Sequence, residues 1–215
     1  INLVVGCTGS IAAIKVPELV RKLHATGKFN IILLPSNDSL HFFNLQDSKS
    51  PNALINTLDS GLQGVTVFKD EDEYRFWRSR EDPVLHIEIR RWADILLIAP
   101  LSADTLAKIN SGRCDTLLLE VLRAWDYTQL SEPTPAMHHT KTHATQTFKQ
   151  SNTIQGKKLI ACPAMNTHMF THPLTAGHLQ FLQETLRFEL LGPIEKRLAC
   201  GDLGTGGMGE VNTIV

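Results

Sequence analysis

A three-layer α/β domain, with a doubly wound parallel sheet at its centre, is expected from three features of this 215-residue chain. Short, solidly apolar runs recur along it. Segments with helical spacing of apolar residues separate them. Small or polar side chains close each run. Strands covered on both faces lose the alternation of half-exposed ones, and crossover helices supply the cover.

The first run is NLVVGC, closed by Gly6, Gly9 and Ser10. Ala12, Val16, Leu19, Val20 and Leu23 then recur at helical spacing. Pro17 lies inside that pattern and lacks a backbone N–H, so a kink or a broken first turn is expected there. FNIILLP (29–35) reads as the second strand. Asp82–Pro83 reads as the start of a helix with Leu85, Ile89 and Trp92 on its core stripe, and His86 beside that stripe one turn before Arg90. ADILLIAP (93–100) is the third strand, followed by a helix that Ser102 or Asp104 caps. KKLIACP (157–163) is the fourth. Residues 44–64, rich in Asn, Ser, Gly and Asp, read as a loop. Residues 128–156 are polar and Thr-rich with almost no aliphatic periodicity, and read as a mobile surface insertion within a single domain spanning 1–215.

Composition narrows the function classes. With 42% hydrophobic and 20% charged residues and a formal net charge of −1, no overall field favours nucleic acid or an anionic membrane. No apolar run approaches the roughly 20 residues that span a bilayer. The start lacks the basic flank of a signal peptide and begins inside a strand without Met, so the sequence is expected to be an excerpt or a processed form. Four widely spaced cysteines, with no C-x-x-C pair, indicate a reduced, cytoplasmic setting. Cys7, Cys114 and Cys162 lie in or beside apolar runs and are expected to fill the core.

In open parallel sheets, ligands sit at the carboxyl ends of the strands, where the unusual residues of this chain fall. GCTGS (6–10) lets backbone N–H groups approach an anion at a helix N-terminus, or it is simply a tight turn; neither a G-x-G-x-x-G pattern nor a Walker lysine is present. PSNDS (35–39) and PLSADT (100–105) close the next two runs with more polar side chains, and the three ends together would suit a flat, phosphorylated cofactor. His86 is an acid/base candidate or an ordinary structural histidine. His138, His139 and His143 cluster in the polar insertion without a carboxylate or thiol beside them, so a solvated loop is preferred and no metal is expected. CPAMNTHMF (162–170) sets one amide, Asn166, between Met165 and Met169. Cys200 opens CGDLGTGGMGE, whose glycines disfavour regular structure and suggest a lid with a thiol at its hinge, or else a loose tail.

These stretches, with GSIAAIK (9–15), DPVLHIEIRRWADILLIAPLSADTLAKI (82–109), PAMNTHMF (163–170) and KRLACGDLGTGGMGE (196–210), follow the order of a known family. The chain resembles the flavin-dependent cysteine decarboxylases, in particular the phosphopantothenoylcysteine decarboxylase and fungal halotolerance-protein branch. The resemblance implies a flavodoxin-like (Rossmann-like) fold, with FMN at the subunit interfaces of a homotrimer or of a heterotrimer with paralogues. It puts FMN contacts on Ser10, Ile11 and Ala12, on Ser36, Asn37 and Asp38, on Ser102, Ala103, Asp104 and Thr105, and on Ala164. It makes His86, Asn166 and Cys200 the catalytic set, with Met165, Asn166 and Met169 against the substrate. The implied reaction converts 4'-phosphopantothenoylcysteine to 4'-phosphopantetheine in coenzyme A biosynthesis. Its steps are thiol oxidation, loss of CO2 and reduction of the ene-thiol. In that scheme His86 assists thiol deprotonation or holds the substrate for the oxidative step, Asn166 orients the departing carboxylate, the methionines keep water away, and Cys200 protonates the ene-thiolate. A regulatory FMN protein that inhibits a protein phosphatase, a decarboxylase of peptide C-terminal cysteines, and a nucleotide-binding domain without redox chemistry are the alternatives. Asp104 and Thr116 stand where many relatives carry Asn, and the long 128–156 segment points to a fungal-type member.

Overall fold

A computed structural model describes residues 1–43, 45, 65–75, 77–129, 156–197 and 203–215. The 44–64 loop, the 128–156 insertion with its histidines, and Cys200 therefore lie wholly or almost wholly outside the described residues.

The expected architecture is present. Six parallel strands form one sheet in the order β3-β2-β1-β4-β5-β6: β1 Asn2–Cys7, β2 Asn30–Pro35, β3 Val65–Val67, β4 Ile95–Leu101, β5 Lys158–Pro163 and β6 Glu189–Leu190. A separate antiparallel hairpin joins β7 Ile194–Arg197 to β8 Leu203–Gly207. The helices are α1 Val16–Ala25, α2 Leu85–Trp92, α3 Ala103–Asn110, α4 Leu117–Arg123, α5 Thr167–Phe170, α6 Pro173–Glu184 and α7 Val211–Ile214. Among the described residues, no helix is long and apolar enough to cross a membrane.

Alternation along the strands splits the core in two. Val4, Ile32, Leu34, Leu96 and Ile98 face α2, α3, α4 and α6 through Leu85, Ile89, Ile109, Leu118 and Leu182. Leu3, Val5, Ile31, Leu33 and Leu97 face α1 through Val16, Leu19, Val20 and Leu23. Each fully buried aliphatic side chain contributes about 1.5–3 kcal/mol, so either layer alone outweighs the polar contacts described below.

Pro17 does break the first helical pattern. A 3₁₀ turn over Ile11–Lys15 precedes α1, and Pro17 sits in the opening turn of α1, where a missing N–H leaves no intrahelical partner unmet. The second expected helix starts at Leu85, after Asp82–Pro83. Asp82 instead closes the preceding turn, its carboxylate accepting from the N–H groups of Arg78 and Ser79 at 2.7 Å each.

Two expectations are corrected. The glycine-rich run after Cys200 is not irregular, because Leu203–Gly207 forms β8. A side chain at Gly204 would collide with Thr167, and one at Gly206 (φ +140°) with the Met165 carbonyl, so the glycines allow β8 to lie directly on the Met165–Thr167 turn. Cys114 is not a core residue. It is exposed in the turn after α3, whereas Cys7 and Cys162 are buried.

Candidate active site

The chain order reverses between β1 and β4, which lie side by side, so their carboxyl ends open a crevice at the switch point of the sheet. Thr8 fixes its floor. Buried at 1% exposure, its hydroxyl donates to the Pro100 carbonyl at 2.8 Å and accepts from the Ser102 N–H at 2.8 Å. One hydroxyl thus locks the end of β1 to the end of β4. Thr8 was not singled out in the sequence, because its partners lie 92 and 94 residues away.

Three serines cap the turns around this crevice. Ser10 accepts from Ala12 N–H, Ser36 from Ser39 N–H and Ser102 from Thr105 N–H, so Ser102 and not Asp104 caps α3. A cleft at the Ser36- and Ser102-capped turns has a volume of about 220 Å³ and is lined by Ser36, Asn37, Asp38, Asp104 and Thr105, among others. Gly9 lets the Ser36–Asp38 turn close in, since a Cβ there would lie 2.7 Å from the Asp38 Cβ. The hydroxyls and turn-start N–H groups around this cleft fit the phosphate and ribityl end of FMN. Ile11 and Ile14, beside Ser10, are 51% and 46% exposed, and offer apolar surface beyond the cleft. Ala103 sits in the first turn of α3. Ala164 follows β5 and is buried, its N–H donating to the Leu101 carbonyl at 2.9 Å.

The same lining is acidic: Asp38 and Asp104 lie on the Ser36- and Ser102-capped turns, and Asp70 and Asp115 line the cleft as well. Lys108 pairs with Asp104 at 3.1 Å and with Asp115 at 3.4 Å, and Arg113 pairs with Asp115 at 2.9 Å. The hydrogen bond that Lys108 donates to Asp104 is the main reason its ammonium is held above its usual range. Burial raises the pKa of Asp70 despite the hydrogen bond it accepts from Leu117 N–H.

His86 occupies the first turn of α2. Its ring Nδ1 lies 2.6 Å from Glu73 Oε1, and its backbone N–H donates to Glu73 Oε2 at 3.2 Å. Glu120 Oε2 approaches the same Nδ1 at 3.9 Å. At the far end of α2, Lys157 donates to the carbonyls of Arg90 and Ala93 at 2.6 and 2.5 Å, which ties the helix to the start of β5. Burial pushes Lys157 down to about 8.

Asn166 caps α5, its Oδ1 accepting from the N–H groups of His168 at 2.8 Å and Met169 at 3.3 Å. This explains the amide between two methionines: a strand ends, and a one-turn helix starts on the asparagine. Met165 is buried in the core, while Met169 is 54% exposed. Hairpin strand β8 packs here, with Met165 N–H donating to the Gly206 carbonyl at 2.9 Å. The Thr167 hydroxyl, buried beside it, has no hydrogen-bond partner among the described residues. Residues 198–202, including Cys200, connect β7 to β8 and lie outside the described residues.

The Flavoprotein family model matches residues 1–215. Phosphopantothenoylcysteine decarboxylase of Mus musculus is 38% identical over 219 residues, covering 100% of this chain and 83% of that relative. Among solved structures, a PPC decarboxylase mutant complexed with pantothenoylaminoethenethiol superposes with a TM-score of 0.74 at 39% identity, covering 99% of this chain and 93% of the other. The FMN-binding protein AtHal3 superposes at 0.72, also at 39% identity, with coverage of 99% and 91%.

Proposed function

This chain belongs to the flavoprotein family, and we propose that it binds FMN and decarboxylates 4'-phosphopantothenoylcysteine to 4'-phosphopantetheine, as a single domain that completes its site in a homotrimer. The carrying observation is the switch-point crevice with its three serine-capped turns, in a chain 38–39% identical to a decarboxylase and to an FMN-binding protein. When bound, FMN supplies the two-electron oxidation of the substrate's CH2–SH group and returns the electrons after CO2 has left.

The chain's own residues do the rest. Ser10, Ile11 and Ala12, the Ser36–Asp38 turn, Ser102–Thr105 and Ala164 hold FMN, with its phosphate toward the backbone N–H groups of the serine-capped turns. His86 takes the thiol proton. Asn166 orients the carboxylate. Met165 and Met169 border that carboxylate with apolar surface, which disfavours the charged ground state relative to neutral CO2. Cys200 returns a proton at the end, carried by the hairpin whose β8 strand lies on Met165–Thr167.

A cleft of about 220 Å³ is small beside the roughly 300–1,000 Å³ of ordinary ligand sites. The apolar surface of Ile11, Ile14 and Met169 supports a second copy closing over the ring. The unpaired thiols of Cys7, Cys114 and Cys162 support a cytoplasmic setting. Purified protein, loaded with FMN, is expected to be yellow, to sediment as a trimer and to release CO2 from this substrate, while His86→Asn keeps the colour and loses the CO2. A yellow trimer that releases none would favour the regulatory alternative, and a colourless one would remove both readings.

A further inference from the structure

Glu73 is buried at 4% exposure and directs both carboxylate oxygens at one residue. Oε2 takes the backbone N–H of His86 and Oε1 meets the ring at Nδ1. We propose that Glu73 is the positioning residue of His86: it holds the imidazole as the Nδ1–H tautomer and so presents Nε2 as the proton acceptor. The inference rests on the proposed function, in which His86 takes the thiol proton.

A carboxylate beside a helix start has an ordinary explanation, since α2 has no side-chain cap of its own and its first N–H groups need acceptors. One oxygen meets that need. The second oxygen, at 2.6 Å from the ring, is at a charge-assisted distance and fixes the rotation of the imidazole. Glu73 is itself held by the acidic turn at 70–73. Its N–H donates to the Asp70 carbonyl at 3.4 Å, and Asp70 Oδ1 accepts from the Leu117 N–H at the start of α4 at 2.8 Å. The starts of α2 and α4 thus share one anchor, and Asp70 also lines the cleft.

Glu120 completes the group. Burial, and then the charge of Glu73, raise its pKa, with His86 opposing. Glu120 thus sets a second carboxyl, less acidic than usual, 3.9 Å from the same ring nitrogen. In the reaction the thiol S–H bond breaks, its proton forms the Nε2–H bond, and the electron pair stays on sulfur. The imidazolium so formed donates Nδ1–H to Glu73, the role of the third member in nucleophile–base–carboxylate arrays.

The test uses FMN-loaded protein with ¹⁵N-labelled histidine. At alkaline pH, where imidazole is neutral, long-range ¹H–¹⁵N correlations report the tautomer of His86, assigned by its loss in His86→Asn. Wild type is expected to show a pyridine-like Nε2. Glu73→Leu is expected to lose that signature and to lower kcat about 10- to 100-fold, the range seen for carboxylates behind metal-bound imidazoles, with KM unchanged. Glu73→Gln keeps an acceptor oxygen and should fall between the two. A wild-type His86 with its proton on Nε2 overturns the proposal. So does a folded, FMN-loaded Glu73→Leu with unchanged tautomer and kcat. If Glu73→Leu does not fold, the wild-type spectrum and Glu73→Gln decide. The tautomer is read without turnover, so a protein that releases no CO2 but shows the Glu73-dependent signature sinks the proposed function and leaves the pairing intact.

Discussion

Thr8→Val tests the claim that one buried hydroxyl aligns the two strand ends forming the crevice. Valine matches threonine in shape, so the change removes hydrogen bonding and little else. The Ser102 N–H loses the acceptor at 2.8 Å and is left in a buried turn, which costs about 1–3 kcal/mol. The bond to Pro100 is lost as well. That carbonyl still accepts from Thr8 N–H at 3.2 Å, so the second loss is the smaller, about 0.5–1.5 kcal/mol. Together they give roughly 2–4 kcal/mol, or a fall in Tm of about 5–15 °C for a chain of this size. FMN affinity should drop too, because Ser102 sets the start of α3. Thr8→Ser keeps both bonds, sheds one methyl and should cost about 1 kcal/mol or less. Denaturant unfolding and fluorescence titration with FMN read both quantities. A Thr8→Val loss below about 0.5 kcal/mol, with unchanged FMN affinity, would refute the reasoning.

Other variants probe separate parts of the molecule. Gly6→Ala places a methyl 2.5 Å from a Leu118 side-chain carbon and should destabilise by about 1–3 kcal/mol through overpacking, read by urea melts. Gly206→Ala, at φ +140° and against the Met165 carbonyl, should leave FMN binding intact and lower turnover by displacing β8, measured as kcat at matched flavin content. Native alkylation followed by mass spectrometry should label exposed Cys114 and spare buried Cys7 and Cys162. Burial pushes both of those thiols up to about 12. The unfolded chain therefore loses two protons that the folded one keeps, and their contribution to stability falls as pH rises from about 9 to 12, at most by about 2.7 kcal/mol per pH unit. Replacing both by Ala should flatten that fall.

The four strands read from sequence are the four central ones, because burial on both faces leaves a solid apolar run. β3 and β6, of three and two residues, sit at the sheet edges and are too short to carry a pattern. The hairpin was misread because its glycines answer to close contact with Thr167 and Met165 across space. The site was legible as residue types at strand ends, namely Ser10, Ser36 and Ser102, but not as contacts. Thr8 looked like an ordinary turn residue. The Asp70–Glu73 run carries no motif or apolar periodicity to mark it in the sequence, and only the fold sets Glu73 on His86, thirteen residues on. Asn166 was read only for chemistry, although an Asn before a short polar-flanked turn is also a cap signal.

The most direct test of the central claim is multiple-turnover CO2 release by the purified, FMN-loaded protein without oxygen or any added electron carrier. Because the electrons taken from the thiol carbon are given back, turnover should continue anaerobically, with the flavin spectrum oxidised at the end. A single burst of CO2 that stops with the flavin bleached, or none at all, would contradict the account.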